Sequence, residues 1–232
     1  MVWPRYIAYF VGITFLTWML TQIEISFPGS LELQVIEIPG DLFGTSEYSP
    51  LEIIQPLILG ICGLLMAWVA RYCPSQRPIA FPFGGVALAF LISELSFFLN
   101  YYVINNLGQV FIVIVSALVI VYTYRARKRL RIAWGRVWPS PAVAMIFTGA
   151  VISFAFVRLV GQEQLWMSIL GDNYQHVVKV AVEEFIELIG YMLWLIGAIE
   201  YTYQARAIAY REPQPAAQRR RQKRRHEKEG HY

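Results

Sequence analysis

The length of the apolar runs is the feature that most constrains how this sequence can fold. Several runs extend for about twenty residues, and a helix of that length crosses a hydrocarbon core of ~30 Å. Hydrophobic side chains make up 56% of the 232 residues and charged side chains only 16%. Typical soluble domains carry ~25% charged residues. The sequence therefore predicts a multi-pass membrane protein.

Backbone that lies in lipid must satisfy its own hydrogen bonds, so long apolar runs predict helices, even where Val and Ile would favour a strand in water. Ser49-Pro50 and Ser140-Pro141 are typical of helix starts, as is Asp172 with Gln175 three residues later. No small-residue cleavage site follows the first run, so we expect it to remain as a span. We predict an all-α polytopic bundle with six transmembrane helices, at residues 5–22, 50–71, 79–101, 108–125, 141–160 and 173–204.

The charges of the connections predict an orientation. The connection 23–49 carries acidic residues and no Lys or Arg, whereas residues 125–136 and the end of the chain are strongly basic. By the positive-inside rule, both termini are expected in the cytoplasm, with 23–49 on the outer side. Residues 212–232 are predicted to form a basic, disordered cytoplasmic tail that attracts anionic lipid. We expect a cell membrane, in particular a bacterial inner membrane, with possible membrane-protein partners and no nucleic acid.

Ionisable side chains within the predicted spans indicate one polar site in the outer half of the bundle. Glu94 lies near the outer end of the third span, and several acids of the sixth span reach the same depth. On a helical wheel, the ionisable residues His176, Lys179, Glu183 and Glu187 of the sixth span fall within one stripe, and Glu184 lies about a quarter-turn away. The spacing predicts a pocket between spans three, five and six, with Gln55 at its rim and the sixth helix packed against the third. The candidate binding residues are Glu94, Arg158, His176, Lys179, Glu183, Glu184 and Glu187.

The charge balance of this cluster leaves three hypotheses about function open. Four glutamates outnumber Arg158 and Lys179, so neutralisation requires protons, a cationic His176 or a bound cation. The first hypothesis is a site for a cation, a proton or a small polar ligand, in a transport or accessory role. In this hypothesis His176 is a pH-sensitive gate. The second is a structural subunit in which the charges only fix helix packing. The third is an enzyme that acts on a lipid or isoprenoid headgroup, although an anionic substrate would require an excess of positive charge.

Several familiar classes of site lose support from the residue inventory. Only His176 lies near the membrane, so haem held by two histidines and a His-Glu-x-x-His zinc site are both excluded. No phosphate-binding loop, nucleophile elbow or di-iron motif occurs. The two cysteines, Cys62 and Cys73, are not expected to pair. A metal held by His176 and glutamates is chemically possible, but Lys179 lies among them, so we expect no metal, and no cofactor is indicated.

Overall fold

The computed structural model describes residues 3–31, 35–38, 41–45, 50–96, 99–100 and 103–211. Ser49, the outer end of the predicted third span near Tyr101 and the predicted tail at 212–232 lie outside these residues. The described chain is mostly helical, with one short antiparallel hairpin of β1 (Val35–Ile38) and β2 (Asp41–Thr45). The helices are α1 (Trp3–Ser26), α2 (Pro50–Tyr72), α3 (Arg77–Glu94), α4 (Leu107–Arg125), α5 (Arg127–Val137), α6 (Pro141–Val160), α7 (Glu163–Leu170) and α8 (His176–Arg211).

Five of these helices, α1, α2, α3, α4 and α6, are long and apolar enough to cross a membrane. This finding supports the predicted multi-pass membrane protein. The most peripheral spans present large apolar side chains outward: Phe10 and Phe15 of α1 are 64% and 58% exposed, and Val113 and Ile120 of α4 are each 67% exposed. Such surfaces suit hydrocarbon and would be unusual in water. The sixth crossing and the orientation remain predictions.

The 36-residue helix α8 occupies the centre of the bundle, and its closest neighbours are α6 and α2. Glycines bring α6 and α8 together: a Cβ at Gly149 would lie 2.5 Å from the Gly190 carbonyl oxygen, and a Cβ at Gly197 would lie 2.8 Å from the Ala142 carbonyl oxygen. Small residues of this kind let membrane helices approach backbone to backbone. The sixth helix also packs against the third, as predicted, but less closely, because α3 reaches α8 through long side chains such as Phe90 and Phe83.

Contacts along α8 define two ends of the bundle. At one end, which we call the Glu94 end, Gln55 of α2 bonds to Glu184 of α8. At the other, the Glu200 end, Gln76 just before α3 accepts a hydrogen bond from Tyr201 of α8. Helix α2 therefore runs parallel to α8. Helices α1 and α6 run antiparallel to α8, so the start of α1 and the start of α6 lie at the Glu200 end.

The end of α1 and the start of α8 differ from the predicted positions. Helix α1 continues to Ser26, and the Glu24 carboxylate accepts backbone N–H bonds from Gly29 and Leu31 in the turn that follows. The connection between α6 and α8 contains the short helix α7 and a 3₁₀ turn that includes Asp172. Helix α8 consequently begins at His176, four residues after the predicted capping residue.

Candidate functional site

A cavity of about 380 Å³ lies at the Glu94 end, between α3, α4, α6 and α8. Its charged groups come from Glu94 of α3, Arg158 of α6 and Glu187 of α8, and the Tyr191 phenol and three serines complete its polar lining. Span four was not expected at the pocket, but Ile112, Ser116, Val119 and Ile120 of α4 form one of its walls. The structure thus adds a fourth helix to the three that the sequence predicted.

Glu94 is held in the cavity by the phenol of Tyr191, which donates a hydrogen bond of 2.6 Å to the Glu94 carboxylate. Tyr191 is only 1% exposed, and its ring packs edge-on against Phe90, one turn before Glu94 on α3. Both ends of this bond are therefore fixed by packing. The sequence placed Tyr191 beside the acidic stripe but gave it no role, although its spacing of four residues from Glu187 sets both on one face of α8.

Glu187 and Arg158 also face the cavity, and neither makes a hydrogen bond or a salt bridge through its side chain to another described residue. No described side chain donates a hydrogen bond to the Glu187 carboxylate, and within the described part of the chain the Arg158 guanidinium makes no salt bridge within 4.0 Å. Arg158 lies in the last turn of α6 and is exposed. With both carboxyl groups ionised, the cavity lining carries a formal charge of −1.

Glu184 points away from this cavity, into the interface between α8 and α2. Gln55, which is 1% exposed, donates a hydrogen bond of 2.7 Å to the Glu184 carboxylate and one of 3.3 Å to the Glu184 backbone carbonyl oxygen. Neither residue lines the cavity. The expectation that Gln55 lies at the pocket rim is therefore wrong: it lies in a buried interface, where it satisfies a carboxylate.

The remaining three candidates lie along the first turns of α8, nearer its start. Lys179 and Glu183 form an i,i+4 ion pair of 3.4 Å, with side chains 18% and 21% exposed. The Glu183 carboxylate packs against Gly161, so a larger residue at position 161 would require the Glu183 side chain to move. His176 Nδ1 lies 3.3 Å from the Tyr174 hydroxyl. Burial, followed by the nearby Glu163 and Glu183 carboxylates, raises the pKa of Tyr174, so this hydroxyl remains a donor at neutral pH.

The structure also shows cavity features that the sequence did not reveal. Residues Ile152–Phe156 form a π-helical turn within α6, and Ser153 in this turn lines the cavity. Ser153 is 4% exposed, and its hydroxyl has no hydrogen-bond partner among the described residues. Single π turns within α-helices often occur at functional sites. A serine in an apolar run gives no sequence signal for such a turn.

Glu200 is a second buried carboxylate that the sequence analysis overlooked. It is 5% exposed and lies at the Glu200 end, where Arg5 approaches at 2.9 Å and the Tyr9 hydroxyl donates a bond of 2.7 Å. Each carboxylate oxygen has a partner, and both partners come from α1. Glu200 therefore attaches α1 to α8, and the signal for it was an acidic residue late in an otherwise apolar helical run.

Among the residues that the structure describes, no three His, Cys, Asp or Glu side chains converge as a metal site would require. The predicted candidates instead divide into the cavity set of Glu94, Arg158 and Glu187, the interface residue Glu184, and the helix-start set of His176, Lys179 and Glu183. The arrangement in the cavity can accept hydrogen bonds and hold positive charge. No family model, curated protein or solved structure matches this chain.

Proposed function

We propose that this chain is a six-span membrane protein that binds a cation, a proton or a small polar ligand in the acidic cavity, in a transport or accessory role. The observation that carries the proposal is the imbalance at the cavity. Glu94 and Glu187 face it, while Arg158 is the one cation in its lining. A charged side chain at membrane depth costs ~2.5–3.5 kcal/mol on insertion scales. A positive ligand or a proton would offset that cost.

The sixth crossing and the orientation form part of this proposal. Helix α8 runs beside α2 from Glu184 to Tyr201, and α2 is itself apolar and long enough to cross. Helix α5, at the Glu200 end, carries Arg127, Lys128, Arg129, Arg131 and Arg136. The positive-inside rule then favours the Glu200 end as cytoplasmic, with both chain ends there and the cavity in the outer half.

Within the proposed site, the cavity residues have different roles. Glu94 and Glu187 accept the ligand or proton, and Tyr191 holds Glu94 in place through its hydrogen bond. Arg158 limits the negative charge of the site. Glu184 supports the site indirectly through the α2 interface, and the Lys179–Glu183 pair with His176 lies nearer the start of α8, outside the cavity lining.

The test is a thermal-shift titration of the full chain in nanodiscs, with monovalent, divalent and organic cations over a range of pH. We expect at least one cation to raise the unfolding temperature of the wild type, and Glu94→Gln and Glu187→Gln to abolish the shift. Glu163→Gln is the matched control, because Glu163 is exposed on α7 at the same end of the bundle. If cations and pH change the unfolding temperature of the wild type no more than that of the Glu94→Gln variant, the cluster only fixes packing and the chain is a structural subunit.

A second candidate, an enzyme acting on a lipid or isoprenoid headgroup, is favoured by one observation. Beyond its polar end, the cavity continues between apolar residues of α3 and α4. An enzyme would consume the bound lipid on incubation, whereas a binding protein would return it unchanged. Mass spectrometry of lipid extracted after incubation separates the two.

A further inference from the structure

The cavity has two chemically different ends. Along α3 its lining extends from Glu94 back to Gly85, which at 1.5 Å per residue is ~13 Å. Charged groups occur only at the first end, where α6 and α8 contribute Arg158 and Glu187. The second end lies between α3 and α4, where Gly85 and Val119 are in contact and Val86 and Ala89 complete an apolar wall.

In a bilayer that α3 and α6 cross, the two ends would also lie at different depths. Arg158 is two residues before the end of α6, and Glu94 lies at the same end of α3, so the polar end lies within one leaflet. Gly85 lies at the middle of α3, close to the bilayer centre. A lipid-like molecule in the same leaflet has its headgroup and its chain at these depths.

The cavity opens sideways toward hydrocarbon. Helix α4 packs along α3 and has no extended contact with α6 among the described helices, so a gap separates α4 from α6. Side chains at the gap are open, with Ile120 of α4 67% exposed and Phe154 of α6 66% exposed. A molecule already in the membrane would enter here without leaving the leaflet.

A buried hydroxyl lies behind the cavity wall, at the contact between α6 and α8. Ser153 lines the cavity beside Phe154, is 96% buried by its 4% exposure, and makes no hydrogen bond within the described part of the chain. A buried polar group without a partner costs ~1–3 kcal/mol. The hydroxyl oxygen lies against Gly190 of α8 and has no open surface, so this cost belongs to the close contact of α6 with α8.

From these observations we propose that the ligand is a single-chain amphiphile with a cationic, hydrogen-bond-donating headgroup, such as a long-chain amine, that enters between α4 and α6. This inference rests on the proposed function, since it names the class of cation that the acidic cavity takes. The ammonium group lies between Glu94 and Glu187, and a chain on the order of ten carbons follows the apolar wall to Gly85. Anionic headgroups are disfavoured because two carboxylates outnumber Arg158.

The experiment uses a long-chain primary amine with a diazirine in its chain, added to the full chain in phosphatidylcholine nanodiscs. After photolysis, mass spectrometry locates the labels. We expect labels on the cavity faces of α4 and α3, near Val119 and Ala89, and displacement by unlabelled amine. Glu94→Gln and Glu187→Gln should each reduce specific labelling about tenfold, the effect of losing a charge-assisted hydrogen bond. Glu163→Gln should leave it unchanged.

A second pair of variants tests the path of the chain. Ser116→Phe fills the α4 wall of the cavity, and Val121→Phe adds the same ring on the same helix outside it. We expect only Ser116→Phe to block labelling. Methylammonium has the headgroup without the alkyl chain, so Ser116→Phe should not change any thermal shift that methylammonium produces. Loss of labelling in both α4 variants would contradict the proposed path.

Matched probes separate the possible failures. If methylammonium and the long-chain amine protect the wild type equally, the cavity binds small cations, and the amphiphile proposal fails while the proposed function stands. If an alcohol probe with the same alkyl chain labels α4 as strongly as the amine does, and Glu94→Gln does not change the labelling, ordinary bilayer lipid occupies the gap. The amphiphile proposal then fails. If no cation protects or labels, with or without a chain, the proposed function fails as well.

Discussion

The contact between α6 and α8 yields a prediction whose size follows from the geometry. A Cβ added at Gly149 would lie 2.5 Å from the Gly190 carbonyl oxygen and 2.8 Å from the Trp194 backbone nitrogen. Ordinary contacts at a Cβ are about 1 Å longer, and both neighbours are backbone atoms of a helix. Gly149→Ala therefore requires the two helices to separate, because neither neighbour can rotate away.

Two opposing effects set the expected magnitude. Overpacking of a well-packed interface costs about 1–3 kcal/mol. Replacing glycine by alanine within a helix contributes about 0.5–1 kcal/mol in favour of folding. The net expectation for Gly149→Ala is a loss of about 1–2 kcal/mol in the free energy of unfolding. At about 2–4 °C per kcal/mol for a chain of this size, the unfolding temperature should fall by about 2–8 °C.

The matched control is Gly60→Ala in α2, where an added Cβ would meet nothing within 4 Å. It should leave the unfolding temperature unchanged or raise it slightly. Both variants are compared in the same nanodiscs by tryptophan fluorescence, since Trp194 lies at the affected contact. If Gly149→Ala unfolds at or above the temperature of Gly60→Ala, the close approach of α6 and α8 is incorrect.

Three further predictions concern other contacts. Glu200→Gln should loosen α1 without unfolding the bundle, measured as at least tenfold faster proteolysis near the N-terminus, and equal rates would contradict the role of this residue in attaching α1. Gln55→Leu should lower the free energy of unfolding by about 1–3 kcal/mol because it leaves a buried carboxylate without its donor, and a stability equal to wild type in chemical denaturation would refute this. Cysteines introduced at Asp172 and Arg129 should react with an impermeant maleimide from the outer and the cytoplasmic side, respectively, and labelling of both from one side would reject the orientation.

The apolar spans were predictable because length and hydropathy decide them. Their ends were less so, because short-range bonds determine where a helix stops. Hydropathy falls after residue 22, yet α1 continues to Ser26, where the Glu24 side chain satisfies the backbone N–H groups of the next turn. Asp172 has the character of a helix cap but lies in a 3₁₀ turn, so α8 begins later.

The candidate site was predictable in part, since charged residues within apolar runs are conspicuous. The helical wheel placed Glu183 and Glu187 on one stripe, but a stripe on a long helix meets different neighbours along its length. Glu183 packs on Gly161, while Glu187 faces the cavity one turn further. The wall from α4 depends on the contact of Gly85 with Val119, and the π turn depends on tertiary packing. Neither leaves a pattern in the sequence.

Two carboxylates of α8, Glu187 and Glu200, show why a charge within an apolar helix does not by itself identify a functional site. Glu200 and Glu187 lie on the same helix, and each charge carries the same order of insertion cost, ~2.5–3.5 kcal/mol. Arg5 and Tyr9 occupy both oxygens of Glu200, so its cost is offset within the fold. Glu187 has no such donor among the described side chains and faces the cavity. Arg158 in the same cavity offsets part of the charge of Glu187. In the proposed function, a proton or a bound cation offsets the rest, whereas Glu200 at the other end attaches α1 to α8.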